Sequence, residues 1–285
     1  MKIFELNHID QTLLDLALTE DLGTPFCDIT TTTLFAHSTK TCHAKIISKE
    51  KKPLVICGIS IVDALLKKID RTTELKTNYQ DGQCLSPQET LLTIHGNANT
   101  ILMLERTLLN FLRHLSAIAT LTRQFVDKVS HTHLKLLDTR KTTPGFRHLE
   151  KYAVHCGGGI NHRMGLYDAI LIKDTHIDFL GGLENALQKI PNKYPLPVIV
   201  EIRNQQEFDI AIQYPQKITR LLFDNMRPEQ LTQYVKNTPK MLETESSGNI
   251  TLNNIADVAQ TGVDYASVGC ITYAAGQVDL SMIVE

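Results

Sequence analysis

Five basic residues, Arg140, Lys141, His162, Arg163 and Lys173, fall in one central stretch of the chain, and two acids, Glu201 and Asp224, follow it. Arginine offers a planar fork that meets a carboxylate or phosphate through two hydrogen bonds, and lysine offers a compact charge. Such a set suits a ligand with several anionic oxygens. The two carboxylates suit ribose hydroxyls or a Mg²⁺ carried by a polyphosphate. Ser247-Gly248 and Val268-Gly269 come later; small residues after a strand let backbone N–H groups approach a phosphate. Taken singly, each charge reads as an ordinary exposed side chain, and Glu201 and Asp224 as salt-bridge partners of the cations. Gly157-Gly158-Gly159 lacks the spacing of either nucleotide-binding glycine motif. No His-x-x-x-His or Cys-x-x-Cys pair marks a metal cage. The cysteines Cys27, Cys42, Cys57, Cys84, Cys156 and Cys270 read as unpaired thiols of a reducing compartment. The set gains meaning only if the fold brings its members together.

The pattern of apolar runs supplies such a fold. Leu134–Asp138, Ala169–Lys173, Val198–Glu201, Leu221–Asp224, Met241–Glu245 and Ala266–Gly269 are short β-branched or leucine-rich runs, several of them closing on a charge. They recur at intervals of about two dozen residues, with helix-like segments at 204–213, 228–236 and 252–260 between them. Strands alternating with helices predict βαβ units and a parallel sheet. Burial of such strands on both faces explains their unbroken apolar character. An open doubly wound sheet needs polar groups at one switch point only. Here nearly every strand end carries them, which predicts a closed or nearly closed parallel α/β barrel with its ligand at the C-terminal rim.

The first third differs. Leu6, Ile9, Leu13, Leu16 and Ala17 recur at helical spacing up to Gly23. Strands are predicted at 41–48 and 53–57, near 72–79 and at 90–95, with a helix over 59–69 and a turn at Asp81-Gly82. A long helix follows, roughly 100–126, with Ile101, Leu104, Leu108, Phe111, Leu115 and Ile118 as its apolar stripe. Arg106, Asn110 and Arg113 share its other face, which reads as solvated. The expected organisation is a small N-terminal α/β sandwich over 1–112, joined by 275–285, and an incomplete α/β barrel over 113–274. With 285 residues, 29 basic and 31 acidic side chains and a net charge of -2, the chain has a sizeable core and lacks the basic excess of a nucleic-acid coat. Charge interrupts its N-terminus early and no apolar run is long enough to span a bilayer, so a cytoplasmic protein is expected.

Asp138-Thr139-Arg140-Lys141-Thr142-Thr143-Pro144-Gly145, Lys151-Tyr152-Ala153-Val154 and the block from Gly157 to Asp168 together resemble the quinolinate phosphoribosyltransferase family. Ile172-Lys173-Asp174 with His176, Glu20-Asp21-Leu22-Gly23, Asp28-Ile29-Thr30-Thr31, Glu105–Asn110, Phe223-Asp224-Asn225 and Ser247-Gly248 extend the resemblance over nearly the whole chain. The resemblance implies a homodimer in which the sandwich of one subunit caps the barrel of the other and Arg106 enters the partner's site. It implies that Arg140, Lys141, His162, Arg163 and Lys173 surround the quinolinate carboxylates beside Thr139. Glu201 and Asp224 would face the ribose and Mg²⁺ of phosphoribosyl pyrophosphate. Ser247, Gly248, Asn249, Val268 and Gly269 would cradle the 5′-phosphate. Lys141, Glu201 and Asp224 would act on the chemistry, giving nicotinate mononucleotide, pyrophosphate and CO₂ on the route to NAD.

Two positions depart from the family pattern: Asn249 stands where a second glycine is usual, and Tyr273 near a usual histidine. Asparagine tolerates left-handed backbone better than most residues, so the loop is expected to keep its shape. Two other readings remain open at this point: a same-fold transferase acting on another anionic base, and a barrel that binds an oxyanion without turnover.

Overall fold

A computed structural model describes residues 4–35 and 40–285. From the N-terminus its elements are α1 (His8–Leu22), α2 (Ile29–Leu34), β1 (Thr41–Ser48), β2 (Leu54–Val55), α3 (Ile59–Ile69), β3 (Glu74–Lys76), β4 (Cys84–Leu85), β5 (Thr90–Asn97) and α4 (Ala98–Val129). There follow β6 (Lys135–Leu137), α5 (Arg147–Cys156), β7 (Ile170–Ile172), α6 (Asp174–Phe179), α7 (Leu183–Gln188), β8 (Val198–Ile202), α8 (Gln205–Ala211) and β9 (Arg220–Asp224). The last are α9 (Pro228–Asn237), β10 (Glu243–Ser247), α10 (Ile255–Gln260), β11 (Tyr265–Ser267), α11 (Cys270–Tyr273) and β12 (Leu280–Val284). Backbone packing groups the chain into two units, Met1–Arg123 with Thr142–Gly158 and Thr272–Glu285, and Gln124–Lys141 with Gly159–Ile271. No helix of the described residues is long and apolar enough to cross a membrane.

In the first unit, an antiparallel sheet of order β12-β1-β5-β3 carries helices that bury their apolar stripes. The stripe foreseen on α4 is buried throughout, from Ile101 to Ile118. The helix over 59–69 falls where its spacing places it, its first turn held by Asp81, whose Oδ1 accepts from the amides of Gly58 and Ile59 at 3.0 and 3.1 Å. In α1 the helix is as expected but the face is not. Ile9 and Leu16 are 49% and 61% exposed, and the core takes Asp10, Leu14, Leu18 and Leu22 instead. Inside, the Asp10 Oδ2 accepts from the Asn7 amide at 2.8 Å and meets His148 Nδ1 at 2.6 Å, which offsets part of the cost of burying a carboxylate; its Oδ1 has no hydrogen-bond partner among the described residues.

The second unit is a six-stranded, wholly parallel sheet of order β6-β11-β10-β9-β8-β7, with helices between successive strands. Beyond the β6 edge, Ile160 makes a parallel bridge to Leu137, and the chain then runs from Ile160 to β7 on the opposite edge. Among the described residues no ladder joins β6 to β7, so the ring is an incomplete parallel α/β barrel closed on one side by an irregular segment. Its strand interiors are apolar and buried, among them Val198, Val200, Leu221 and Phe223.

One strand is displaced from its expected place. The apolar-to-charged run over 241–245 predicts a strand ending at Glu245, but β10 spans Glu243–Ser247 and Glu245 lies inside it, 0% exposed. A charge can sit there because Arg220 on β9 reaches it, with Nη1 3.0 Å from Glu245 Oε2, while Nε and Nη2 hold Glu243 Oε2 at 2.9 and 2.7 Å. The Arg220 guanidinium also stacks 3.8 Å above the Tyr265 ring.

Candidate active site

Because all six strands run in one direction, their C-terminal ends share one rim. Following the sheet order, that rim carries Asp138-Thr139-Arg140 after β6, Val268-Gly269 after β11, Ser247 at the end of β10 with Gly248-Asn249 after it, Asp224 at the end of β9, Glu201 near the end of β8 and Lys173 after β7. The residues foreseen for the rim are therefore brought to one edge. Arg106 belongs to the other unit, exposed on α4 with Glu105 3.8 Å away.

The cationic side is built on the segment that closes the ring. Arg163 Nη1 donates to the Ala169 carbonyl at 3.0 Å, and the amides of Met164 and Gly165 donate to the Asp168 carboxylate at 2.7 and 3.1 Å. Burial, and then the neighbouring Arg140, hold the Arg163 guanidinium below its usual value. Like charges in one neighbourhood repel, and an anionic ligand relieves that repulsion. Arg140 and Lys141 are exposed, and the Lys141 amide donates to Thr139 Oγ1 at 3.0 Å, which tightens the turn after β6.

His162 is set deeper than the exposed cations of the rim. Its side chain is only 8% exposed, its Nδ1 accepts from the Arg163 amide at 2.7 Å, and its Nε2 lies 3.4 Å from Glu245 Oε1. Both ring nitrogens face protein groups, so the imidazole supports its neighbours. Its own amide donates to Asp138 Oδ1 at 2.9 Å, and Asn161 Nδ2 donates to Asp138 Oδ2 at 2.6 Å.

On the acidic side, burial, then Asp224 and Asp174, push the Glu201 carboxyl above the usual range, while Lys173 and Arg203 pull the other way. Arg203 spends its hydrogen bonds elsewhere, on Asp178 and Glu207, which leaves Lys173 as the exposed cation beside this pair. Among the described residues no group of three or more His, Cys, Asp or Glu side chains forms a metal cage. Glu201 and Asp224 are nevertheless an all-oxygen pair whose mutual repulsion a divalent cation would relieve. They fit a hydrated Mg²⁺ that brings phosphate oxygens as its other ligands.

The loop after β10 is tied to the loop after β9. Asn225 and Asn249 have positive φ, 53° and 51°, and Asn249 Nδ2 donates to Asn225 Oδ1 at 2.9 Å. The Asn225 amide donates to the Ser247 carbonyl at 2.8 Å, and its Nδ2 to Asp224 Oδ2 at 2.7 Å. Asn225 lies so close over Gly248 (φ 91°) that a Cβ there would collide with its amide group. The departure at Asn249 thus keeps the left-handed backbone and adds a link between loops. Sequence reasoning overlooked Asp138, Arg220, Asn225 and Glu245 as supports; Arg220 only opens the apolar run of β9 and β10 is polar along its length, so no local pattern singled out Arg220 or Glu245.

Comparison with known proteins agrees with this geometry. Residues 28–116 match the family model of the quinolinate phosphoribosyl transferase N-terminal domain, and residues 118–283 that of the C-terminal domain. A curated protein of Bacillus subtilis (strain 168), named probable nicotinate-nucleotide pyrophosphorylase, carboxylating, is 36% identical over 282 residues, covering 98% of this chain and 95% of its own. The solved nicotinate-nucleotide pyrophosphorylase of Francisella tularensis superposes with a TM-score of 0.91 at 36% identity, over 100% of both chains. That of Ehrlichia chaffeensis does so with 0.90 at 34%, again over 100% of both. With both domains matched in order and relatives similar from end to end, the chain belongs to the quinolinate phosphoribosyl transferase family.

Proposed function

We propose that the protein transfers the phosphoribosyl group of phosphoribosyl pyrophosphate to quinolinate with decarboxylation, giving nicotinate mononucleotide, pyrophosphate and CO₂ for NAD synthesis. The observation that carries this reading is an arginine pair and a carboxylate pair on one rim of a parallel barrel, in a chain of this family. Arg140 and Arg163 hold the two ring carboxylates and aim the ring nitrogen at ribose C1; positioning of this kind is worth roughly 7–11 kcal/mol of barrier. The nitrogen lone pair forms the bond to C1 as the C1–O bond breaks, and its electrons leave with pyrophosphate. Glu201 and Asp224 face the positive charge that grows on the ribose, and Lys141 and Lys173 the negative charge that leaves. Glu201 and Asp224 are also the oxygen donors for a Mg²⁺, which when bound neutralises pyrophosphate charge. The ring nitrogen, now cationic, draws in the electron pair of the adjacent carboxylate as it departs as CO₂, and a proton takes its place. No side-chain nucleophile is needed, and none of the six unpaired cysteines takes part.

The partner and setting follow from the same reading. We place Ser247–Asn249 and Val268-Gly269 at the 5′-phosphate and Arg106 in the site of a second subunit. A homodimer is supported by large apolar side chains exposed on each unit: Leu166, Tyr167 and Phe179 at 71%, 77% and 91%, and Ile29 and Leu34 at 77% and 71%. We place the family's domain boundary near residue 112, inside α4, ahead of the point after Arg123 where the backbone packing divides, with 275–285 joining the N-terminal sandwich. Six unpaired thiols suit the cytoplasm.

The deciding experiment supplies phosphoribosyl pyrophosphate and Mg²⁺ with one base at a time. Quinolinate is expected to release pyrophosphate and CO₂ together, and nicotinate neither. Pyrophosphate released with nicotinate alone would overturn the assignment. A second outcome concerns pH. Glu201 must be ionised to face the ribose, and its carboxyl is raised, so activity is expected to fall on acidification at a higher pH than an ordinary glutamate would set. Asp174→Asn removes one of the charges that raise it, and the acid limb of kcat/KM for phosphoribosyl pyrophosphate should move to lower pH. An unmoved limb would show that another group controls it.

A further inference from the structure

The Arg163 guanidinium is half-buried, donates from Nη1 to the Ala169 carbonyl at 3.0 Å and feels the charge of Arg140, so its placement depends on how its backbone is held. Its own segment is clamped from two sides. One clamp is Asp138, 0% exposed, which accepts from the His162 amide and the Asn161 side chain. The other begins at Arg220 and runs through Glu245 and His162 to the Arg163 amide, with contacts of 3.0, 3.4 and 2.7 Å. Glu245 Oε1 is buried without a well-aligned donor, and His162 Nε2 is the polar atom that faces it. A buried acceptor left without a proton costs about 1–3 kcal/mol, more when it is charged, so Nε2 is where the ring proton belongs. His162 Nδ1 accepts from an amide N–H and therefore cannot carry the proton. Both ends of the ring demand the same tautomer.

Resting on the function proposed above, we infer that Glu245, buried in the middle of β10, is a positioning residue for quinolinate. It fixes the Nε2–H tautomer of His162, and His162 thereby holds Arg163 in place for a ring carboxylate. Arg220 in turn keeps Glu245 ionised and oriented. Supporting groups of this kind are worth roughly 10–100-fold in the function of the residue they orient.

The test uses the full chain. Glu245→Gln can turn its amide toward Nε2 and favour the opposite tautomer, which sets an N–H against the Arg163 amide. We expect KM for quinolinate to rise by about 10–100-fold, with kcat and KM for phosphoribosyl pyrophosphate nearly unchanged. A purely structural defect would move all three. His162→Asn keeps an acceptor near the Nδ1 position and needs no tautomer. In that background Glu245→Gln should have no further effect on quinolinate KM, whereas additive effects would overturn the inference. Independently of substrate, ¹⁵N imidazole spectra of the wild-type protein should show His162 protonated at Nε2 alone when neutral; protonation at Nδ1 would overturn it. A wild type that neither binds nor converts quinolinate would refute the proposed function, while the imidazole spectrum would still decide the link between Glu245 and His162.

Discussion

Arg140→Ala is expected to cut quinolinate-dependent CO₂ release, measured as kcat/KM, by roughly a hundredfold or more. Truncating one member of a hydrogen-bonded charge pair costs about 2–5 kcal/mol, and each 1.4 kcal/mol is about tenfold in rate. The loss should be concentrated on quinolinate, because the carboxylate pair and the phosphate loops lie on other strands of the rim. The fold should be untouched: Arg140 is exposed, and a surface substitution of this kind changes stability by about 0.5 kcal/mol at most. Removing Arg140 also removes a like charge from beside Arg163, so Arg163 should remain well placed. Full CO₂ release from the Ala variant would show that the dicarboxylate binds elsewhere. Loss of activity together with loss of cooperative unfolding would show that the residue is structural.

Arg220→Ala is the complementary case, with stability as its main readout. Glu245 is 0% exposed and Arg220 holds both it and Glu243. Burial alone would raise the Glu245 carboxyl, but His162 and Arg220 outweigh it and hold it below the usual range. Without the guanidinium the carboxylate is left inside the ring with only the His162 ring facing it, at a cost of about 3–5 kcal/mol for a broken buried pair. That corresponds to a fall in Tm on the order of 10 °C for a protein of this size. Arg220→Lys keeps the charge but loses the fork and the stacking on Tyr265, so it should fall between the two. Linkage gives the sign with pH. A carboxyl lowered by folding contributes stability that is present above its unfolded pKa and lost on acidification, so the wild type should lose stability on acidification through this interval and the Ala variant should lose less. A variant as stable as the wild type at neutral pH would mean that water, and not Arg220, compensates Glu245.

How far the sequence disclosed this architecture depends on how local each signal is. The periodicity of α3 and α4 and the unbroken apolar runs of β8 and β9 depend on neighbours a few residues away, and these elements stand close to where the pattern predicts them. The helix α5 was not foreseen. It buries Glu150 and Lys151 at 0% and 1% exposure, so its inner face does not look apolar. The strands β4 and β12 are short and are held by pairing with distant partners, Leu54-Val55 and Thr41–Ser48. At the site, the convergence of Arg140, Lys173, Glu201 and Asp224 was legible because strand ends mark a rim. The clamp formed by Asp138, Glu245 and Arg220 was not, because charges from separate strands neutralise one another only after the ring has formed.

The amide link across Asn225, Gly248 and Asn249 also governs how this stretch can diverge over generations. Glycine in place of Asn249 would preserve the left-handed turn but dissolve the tie, and a β-branched replacement would lose both. Position 248 stays barred to larger residues for as long as Asn225 overlies it. The three sites are therefore free to drift only in concert, and each accepted exchange at one narrows the alphabet open to the others.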